Sequence, residues 1–150
     1  MKKVNIIKIT KIILDIMLIL GIVTVLTLPL TMSLAGTYYS TSIAEHYTAM
    51  VFIFGVSALF GLMILYELRK MMKSVLEENC FILRNVTSLD RMGGFSICIS
   101  VMFILKMFIV PTPATFVIII VFFVAALFSG VLSQVFAEAV RYKEENDLTI

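Results

Sequence analysis

The sequence predicts an all-α fold: an integral membrane four-helix bundle with a cytoplasmic helical hairpin and a helical C-terminal tail. Three observations predict this class. Of the 150 residues, 61% are hydrophobic and only 15% are charged, whereas a soluble domain has about 25% charged residues. Four apolar windows are long enough to cross a bilayer core, which needs about 20 residues of helix. The cationic residues also gather on one side of these windows. This composition excludes a soluble globular domain and a disordered chain.

The four predicted membrane spans belong to a single domain, residues 1–150, and cover about residues 12–34, 48–66, 95–110 and 114–136. Each is predicted as a helix, because a helix pairs its own backbone groups in lipid and a barrel strand would alternate apolar and polar residues. The first span follows a basic segment, as a secretory signal does, but its apolar stretch exceeds the usual length of about 7–15 residues. We interpret it as a retained helix, which Pro29 is expected to kink or end.

The positions of lysine and arginine predict the orientation. Eleven of the twelve lie in the N-terminal tail, in the connector at about residues 67–91, or in the C-terminal tail at residues 137–150. The other two connectors, residues 35–47 and 111–113, contain none. Because cytoplasmic loops carry an excess of Lys and Arg, we expect a multi-pass protein of the bacterial cell membrane with both termini in the cytoplasm.

Two predicted cytoplasmic segments contain the sequence features that bear on function. The connector at about residues 67–91 is predicted as a helical hairpin with its corner near Phe81, because helical periodicity breaks there. The tail at residues 137–150 continues the fourth helix and ends in an acidic run followed by Leu148, Thr149 and Ile150. This tail is either a solvated helix end or a docking peptide, and both interpretations stay open.

Two ionisable residues are predicted near membrane depth, where such groups are costly and often functional. Asp15 is expected to pair with Lys11 one turn earlier. Lys106 is expected to reach outward, toward Glu45. Both residues therefore have structural explanations that compete with a functional one.

Small residues recur every four positions in the fourth span, where they let helix backbones approach closely. The residues predicted to pack in this way are Ala125, Ser129, Ser133 and Ala137. The sequence leaves open whether this surface packs within one chain or between two chains of a homo-oligomer.

No motif for an enzyme or a metal site is present. The chain has no phosphate-binding loop, HExxH or GxSxG motif, and Cys80, Cys98 and the single histidine, His46, have no metal-ligand spacing. The sequence therefore predicts no enzyme, no cofactor and no metal. The cytoplasmic cations are sparse and mixed with glutamates, so direct nucleic-acid binding is not predicted either.

The hairpin corner and the tail resemble domain-of-unknown-function family 2975, a family of small four-helix bacterial membrane proteins. In that family an Asn-Pro-Phe corner is followed by Asn-Val and by Leu-basic-x-Gly at the start of the third helix. The matching positions here are Asn79, Phe81, Asn85, Val86, Leu89, Arg91 and Gly93, with Cys80 where the family has proline. The tail match, residues 143–150, is nearly unbroken. The family's members are typically encoded beside a small helix-turn-helix regulator of the Cro/C1 type.

The resemblance implies, by association, a membrane protein that binds and restrains a cytosolic transcription regulator. The residues expected to bind the partner, or to dock the tail, are Phe81, Asn85, Leu89, Arg91, Glu145, Asn146, Asp147, Leu148 and Ile150. Two alternatives remain. A small transporter or channel, of the cation-exporter type, is suggested by the first-helix carboxylate of Asp15. An immunity protein against a membrane-active peptide is the other alternative. The surrounding lipid is the remaining expected partner.

Overall fold

The computed structural model describes residues 2–39 and 41–149, with side chains from Asn5 onward. These residues form five helices and, within the described ranges, no strand. The helices are α1 (Lys2–Tyr38), α2 (Thr41–Glu45), α3 (Tyr47–Leu76), α4 (Leu83–Ile109) and α5 (Pro113–Leu148). The all-α class is therefore confirmed.

Four of the helices, α1, α3, α4 and α5, are long and apolar enough to cross a membrane, with mean hydropathy between 2.0 and 2.8 over their most apolar windows. The 37 residues of α1 span about 55 Å at 1.5 Å per residue, well beyond the bilayer core of about 30 Å. The chain is a multi-pass membrane protein, and its helices extend past the apolar windows.

The long helices pack in series, α1 on α3, α3 on α4 and α4 on α5. No Cα atom of α1 approaches one of α5 within 8 Å among the described residues. A cavity of about 390 Å³ lies where α1 and α3 face Phe122 of α5, and its lining is almost entirely apolar. The bundle therefore has an open side at membrane depth.

The small residues of α5 pack against α4 within the same chain. Ser129 and Ser133 are buried, while Ala125 and Ala137 are half-buried. A Cβ atom added to Gly93 of α4 would lie 3.6 Å from the Cβ atom of Ser129, so the two backbones approach closely there. The structure thus accounts for this surface without a second chain.

The connections at the end of the bundle opposite the hairpin contain more helix than irregular loop. Pro29 does not end α1, which continues to Tyr38, and the Tyr47 hydroxyl donates a hydrogen bond to the Pro29 carbonyl at 3.0 Å. The connector at residues 35–47 contains the end of α1 and the short helix α2. At the other connection Pro113 begins α5, a position where its missing N–H is not needed.

Candidate functional site

The hairpin corner and the last turns of α5 enclose a cleft of about 290 Å³. We call it the hairpin–tail cleft, and its lining residues are Asn79, Phe81, Ile82, Leu83, Val140, Lys143, Glu144 and Asp147. We call the end of the bundle where it lies, which includes the α3–α4 connection, the basic end. The cleft joins the two segments that carry the family resemblance.

The hairpin corner is shaped by the way α3 ends. The backbone N–H of Glu78 bonds to the Val75 carbonyl at 3.2 Å, and that of Asn79 bonds to the Ser74 carbonyl at 3.0 Å. These two bonds form a Schellman motif, which requires a left-handed residue after the helix cap. Glu78 occupies that position with φ of 56°. The chain therefore turns sharply and presents Asn79 and Phe81 to α5.

Contacts across the cleft hold the corner against α5. The rings of Phe81 and Phe136 lie 5.5 Å apart between centroids, and Val140 is buried at 4% exposure. The Lys143 ammonium donates a hydrogen bond to the Asn79 side-chain oxygen at 2.8 Å. The chain therefore closes on itself as far as Lys143, and the residues that follow are exposed.

Asn85 supports the corner from inside and does not line the cleft. Its side-chain nitrogen lies 2.7 Å from the Ser74 hydroxyl and donates to the Cys80 carbonyl, also at 2.7 Å. The Ser74 hydroxyl lies 2.9 Å from the Asn85 side-chain oxygen, and Asn85 is 1% exposed. It therefore links α3, the corner and α4, and a partner could reach it only after the hairpin opened.

Glu67 is a buried, hydrogen-bonded residue of the hairpin that was not among the predicted site residues. Its carboxylate is 6% exposed and accepts hydrogen bonds from Ser88 at 2.6 Å and from Arg91 at 3.3 Å, with Lys70 at 3.6 Å. Glu67 lies four residues before Met71 and seven before Ser74, so all three share one face of α3. That spacing was the signal that could have revealed it.

Leu89 and Arg91 are likewise tied to the interior of the hairpin. Leu89 is 4% exposed and packs with Met71 and Met92, while Arg91 binds Glu67. Of the predicted site residues, the structure brings Phe81 and Asp147 to the cleft. It leaves Glu145, Asn146 and Leu148 exposed beside the cleft, and Ile150 lies outside the described residues.

The last turns of α5 are acidic and exposed. Arg141 forms ion pairs with Glu138 at 2.6 Å and with Glu145 at 3.7 Å, which support the helix at spacings of three and four residues. Leu148 is 88% exposed. The segment from Glu138 to Asp147 has four carboxylates and two cations, so it presents a net negative surface and an uncovered apolar end.

The two ionisable residues near membrane depth have different partners from those expected. Asp15 pairs with Arg69 of α3 at 2.5 Å rather than with Lys11, because α3 packs directly beside α1. Lys106 is 7% exposed and donates to Thr115 at 2.6 Å and to Thr112 at 3.3 Å, not to Glu45. Each residue thus joins two elements. Among the described residues, no three histidine, cysteine or acidic side chains converge.

Comparison with known families gives a match over most of the chain. Residues 25–150 match the model of the family described as Protein of unknown function (DUF2975). The chain therefore belongs to that family, as its hairpin and tail residues suggested. No curated protein and no solved structure matches the chain.

Proposed function

We propose that this member of the DUF2975 family is a non-enzymatic protein of the bacterial cell membrane that binds and restrains a cytosolic helix-turn-helix regulator at the hairpin–tail cleft. The observation that carries the proposal is the convergence of the corner and the tail on one cleft. These segments are distant in sequence and hold the residues that resemble the family. Because both segments resemble the family, the surface that they share is the best candidate for a binding site common to its members.

The proposed orientation is supported by the distribution of charge. Eleven of the twelve Lys and Arg residues belong to the two termini and the α3–α4 hairpin region. The positive-inside rule then puts the basic end, and with it the cleft, in the cytoplasm. A cytosolic regulator would have direct access to the cleft in that orientation.

The chemistry of the cleft suits a protein partner. Phe81 is 46% exposed and lines the cleft together with Ile82 and Leu83. Lys143, Glu144 and Asp147 add charged groups to the same lining. Protein interfaces combine apolar and polar groups in this way, and a partly exposed aromatic side chain is a common anchor.

The acidic tail suggests how binding would restrain the regulator. DNA-binding modules carry a basic surface that neutralises phosphates. Glu144, Glu145 and Asp147 on the last turns of α5 would occupy that surface and compete with DNA. The membrane protein would therefore sequester the regulator and compete directly for its DNA-binding face.

A titration with the helix-turn-helix regulator that the family resemblance predicts to be encoded beside this protein tests the proposal. The full-length protein in detergent is titrated with the purified regulator, and the double variant Glu144→Lys/Asp147→Lys is compared with Glu77→Lys. Glu77 is an exposed carboxylate at the same end but outside the cleft. We expect the double variant to raise Kd by about tenfold or more and Glu77→Lys to leave it unchanged.

The same titration includes the regulator's own DNA as a competitor. We expect operator DNA to displace the regulator from the membrane protein. Equal affinity of wild type and the double variant, or a stable ternary complex with DNA, would contradict the proposed interface. Asp15, the residue that suggested transport, is paired with Arg69, which gives it a structural explanation.

A further inference from the structure

A second cavity lies at the basic end, on another face of the bundle. It has a volume of about 420 Å³ and is lined by Lys11 of α1, Arg84 of α4, and Tyr66, Arg69, Lys70 and Lys73 of α3. Five of these six side chains are cationic, and none is acidic. The residues come from three different helices, so the tertiary fold creates this concentration of charge.

The neighbouring carboxylates neutralise only part of the charge. Arg69 pairs with Asp15 at 2.5 Å, Lys70 lies 3.6 Å from Glu67, and Lys73 lies 4.0 Å from Glu77. Lys11 and Arg84 form no ion pair with any residue that the structure describes. Glu67 is also engaged by Ser88 and Arg91. The cavity therefore retains positive charge that a bound anion could neutralise.

Membrane topology alone does not explain this arrangement. The positive-inside rule requires cations near the ends of spans, and scattered exposed lysines would satisfy it. Here two arginines, three lysines and a tyrosine line one concave space. Arginine forks and lysine point charges are the groups that bind phosphate oxygens in proteins. The volume also lies within the usual range for small-ligand sites, about 300–1,000 Å³.

The position of the cavity favours a lipid as the source of the phosphate. Tyr66 stands where the apolar part of α3 ends, and Lys11 stands where that of α1 begins. Met63 and Leu59 precede Tyr66 by three and seven residues, on the same helical face, and are 50% and 54% exposed. An acyl chain could lie along this strip while its headgroup occupied the cavity.

We propose that this cavity binds the phosphate headgroup of an anionic phospholipid. Basic pockets between transmembrane helices are known to bind such headgroups. Bound lipid would join α1, α3 and α4 at the basic end. The inference is independent of the hairpin–tail cleft and does not require a regulator.

Native mass spectrometry of the full-length protein in detergent tests the site. The protein is titrated with phosphatidylglycerol and, separately, with phosphatidylcholine, whose headgroup has no net charge. Arg84→Gln is compared with Arg141→Gln, the same change at an exposed arginine of this end that does not line the cavity. Arg84 is exposed and unpaired among the described residues, so its replacement preserves the fold.

We expect phosphatidylglycerol to bind in preference to phosphatidylcholine. Arg84→Gln should weaken phosphatidylglycerol binding about fivefold, and Lys11→Gln/Arg84→Gln about thirtyfold, since each cation contributes about 1 kcal/mol. Arg141→Gln should leave binding unchanged. Inorganic phosphate at millimolar concentration should not displace the lipid.

Three outcomes would overturn the proposal. Equal loss in Arg84→Gln and Arg141→Gln would indicate general attraction by the basic end and no defined site. Complete displacement by inorganic phosphate would indicate a site for a free anion. Displacement by a synthetic peptide of residues 138–149 would indicate that the cavity binds an acidic protein segment. None of these outcomes depends on whether the regulator binds at the hairpin–tail cleft.

Discussion

At the scale of single residues, the basic end is organised by buried polar side chains whose hydrogen bonds cross between helices. Glu67 and Ser88 join α3 to α4, and Ser74 and Asn85 do so again near the corner. A buried polar group is stable only when its bonds are made, so these pairs fix the register of the two helices. The shape of the cleft depends on them although they do not line it.

Glu67→Ala should destabilise the protein by about 1–3 kcal/mol, because the buried Ser88 hydroxyl loses its acceptor. Arg91 is half-exposed and can turn to solvent. Glu77→Ala is the matched control, since Glu77 is exposed and lies 4.0 Å from Lys73, and it should change stability by less than about 0.5 kcal/mol. Unfolding by SDS in mixed micelles measures both. Equal effects of the two substitutions would show that the Glu67 network does not support the hairpin.

The sequence predicted the position of these residues less well than it predicted the spans. Asn85 and Leu89 were predicted to bind a partner or dock the tail because they match the family, but that resemblance does not distinguish surface from interior. Their burial depends on the packing of α3 against α4, which no local sequence pattern predicts. Glu67 was overlooked because a glutamate at the end of a span is ordinarily solvated, and only its alignment with Met71 and Ser74 indicates an inward face.

At the scale of elements, the corner between α3 and α4 is set by a residue in an unfavourable backbone conformation. Glu78 has φ of 56°, which costs a side chain with a Cβ atom roughly 1 kcal/mol and costs glycine little. The sequence indicates this corner by a break in helical periodicity. It could not identify the Schellman motif, because the position that usually contains glycine contains glutamate.

Glu78→Gly should stabilise the protein by about 0.5–1 kcal/mol, because glycine adopts the left-handed conformation without strain. Glu78→Ala is the control, since it removes the same charge and keeps the Cβ atom, and it should give no comparable gain. Thermal unfolding in detergent distinguishes the two variants. A similar gain in both would attribute the effect to charge and not to the backbone.

The turn between α4 and α5 is also defined by side-chain hydrogen bonds. Thr112 caps α5 by accepting from the Thr115 backbone N–H at 3.4 Å and accepts from Lys106 at 3.3 Å. Thr112→Ala should cost about 1 kcal/mol, as the loss of a helix cap usually does. Thr112→Ser retains the hydroxyl and should lie within a few tenths of wild type in the same thermal assay. A destabilised serine variant would show that the methyl group, not the cap, is important.

At the scale of the whole molecule, four long helices packed in series bring the hairpin corner and the C-terminal tail to one end. Composition and span length were sufficient to predict an all-α membrane bundle, because burial in lipid leaves few alternatives. The serial order was not predictable, since apolar spans carry little information about which neighbour each contacts. The small residues of α5 indicated a close approach, and only the structure identified α4 as the partner within the chain.

The proposed function requires the basic end to face the cytoplasm, and cysteine accessibility in intact cells tests this most directly. In a background with Cys80 and Cys98 replaced by serine, Glu145→Cys marks the basic end and Thr41→Cys marks α2 at the opposite end. A membrane-impermeant maleimide should label Thr41→Cys in intact cells, and Glu145→Cys only after the cells are permeabilised. Labelling of Glu145→Cys in intact cells would put the cleft outside the cell and contradict the account.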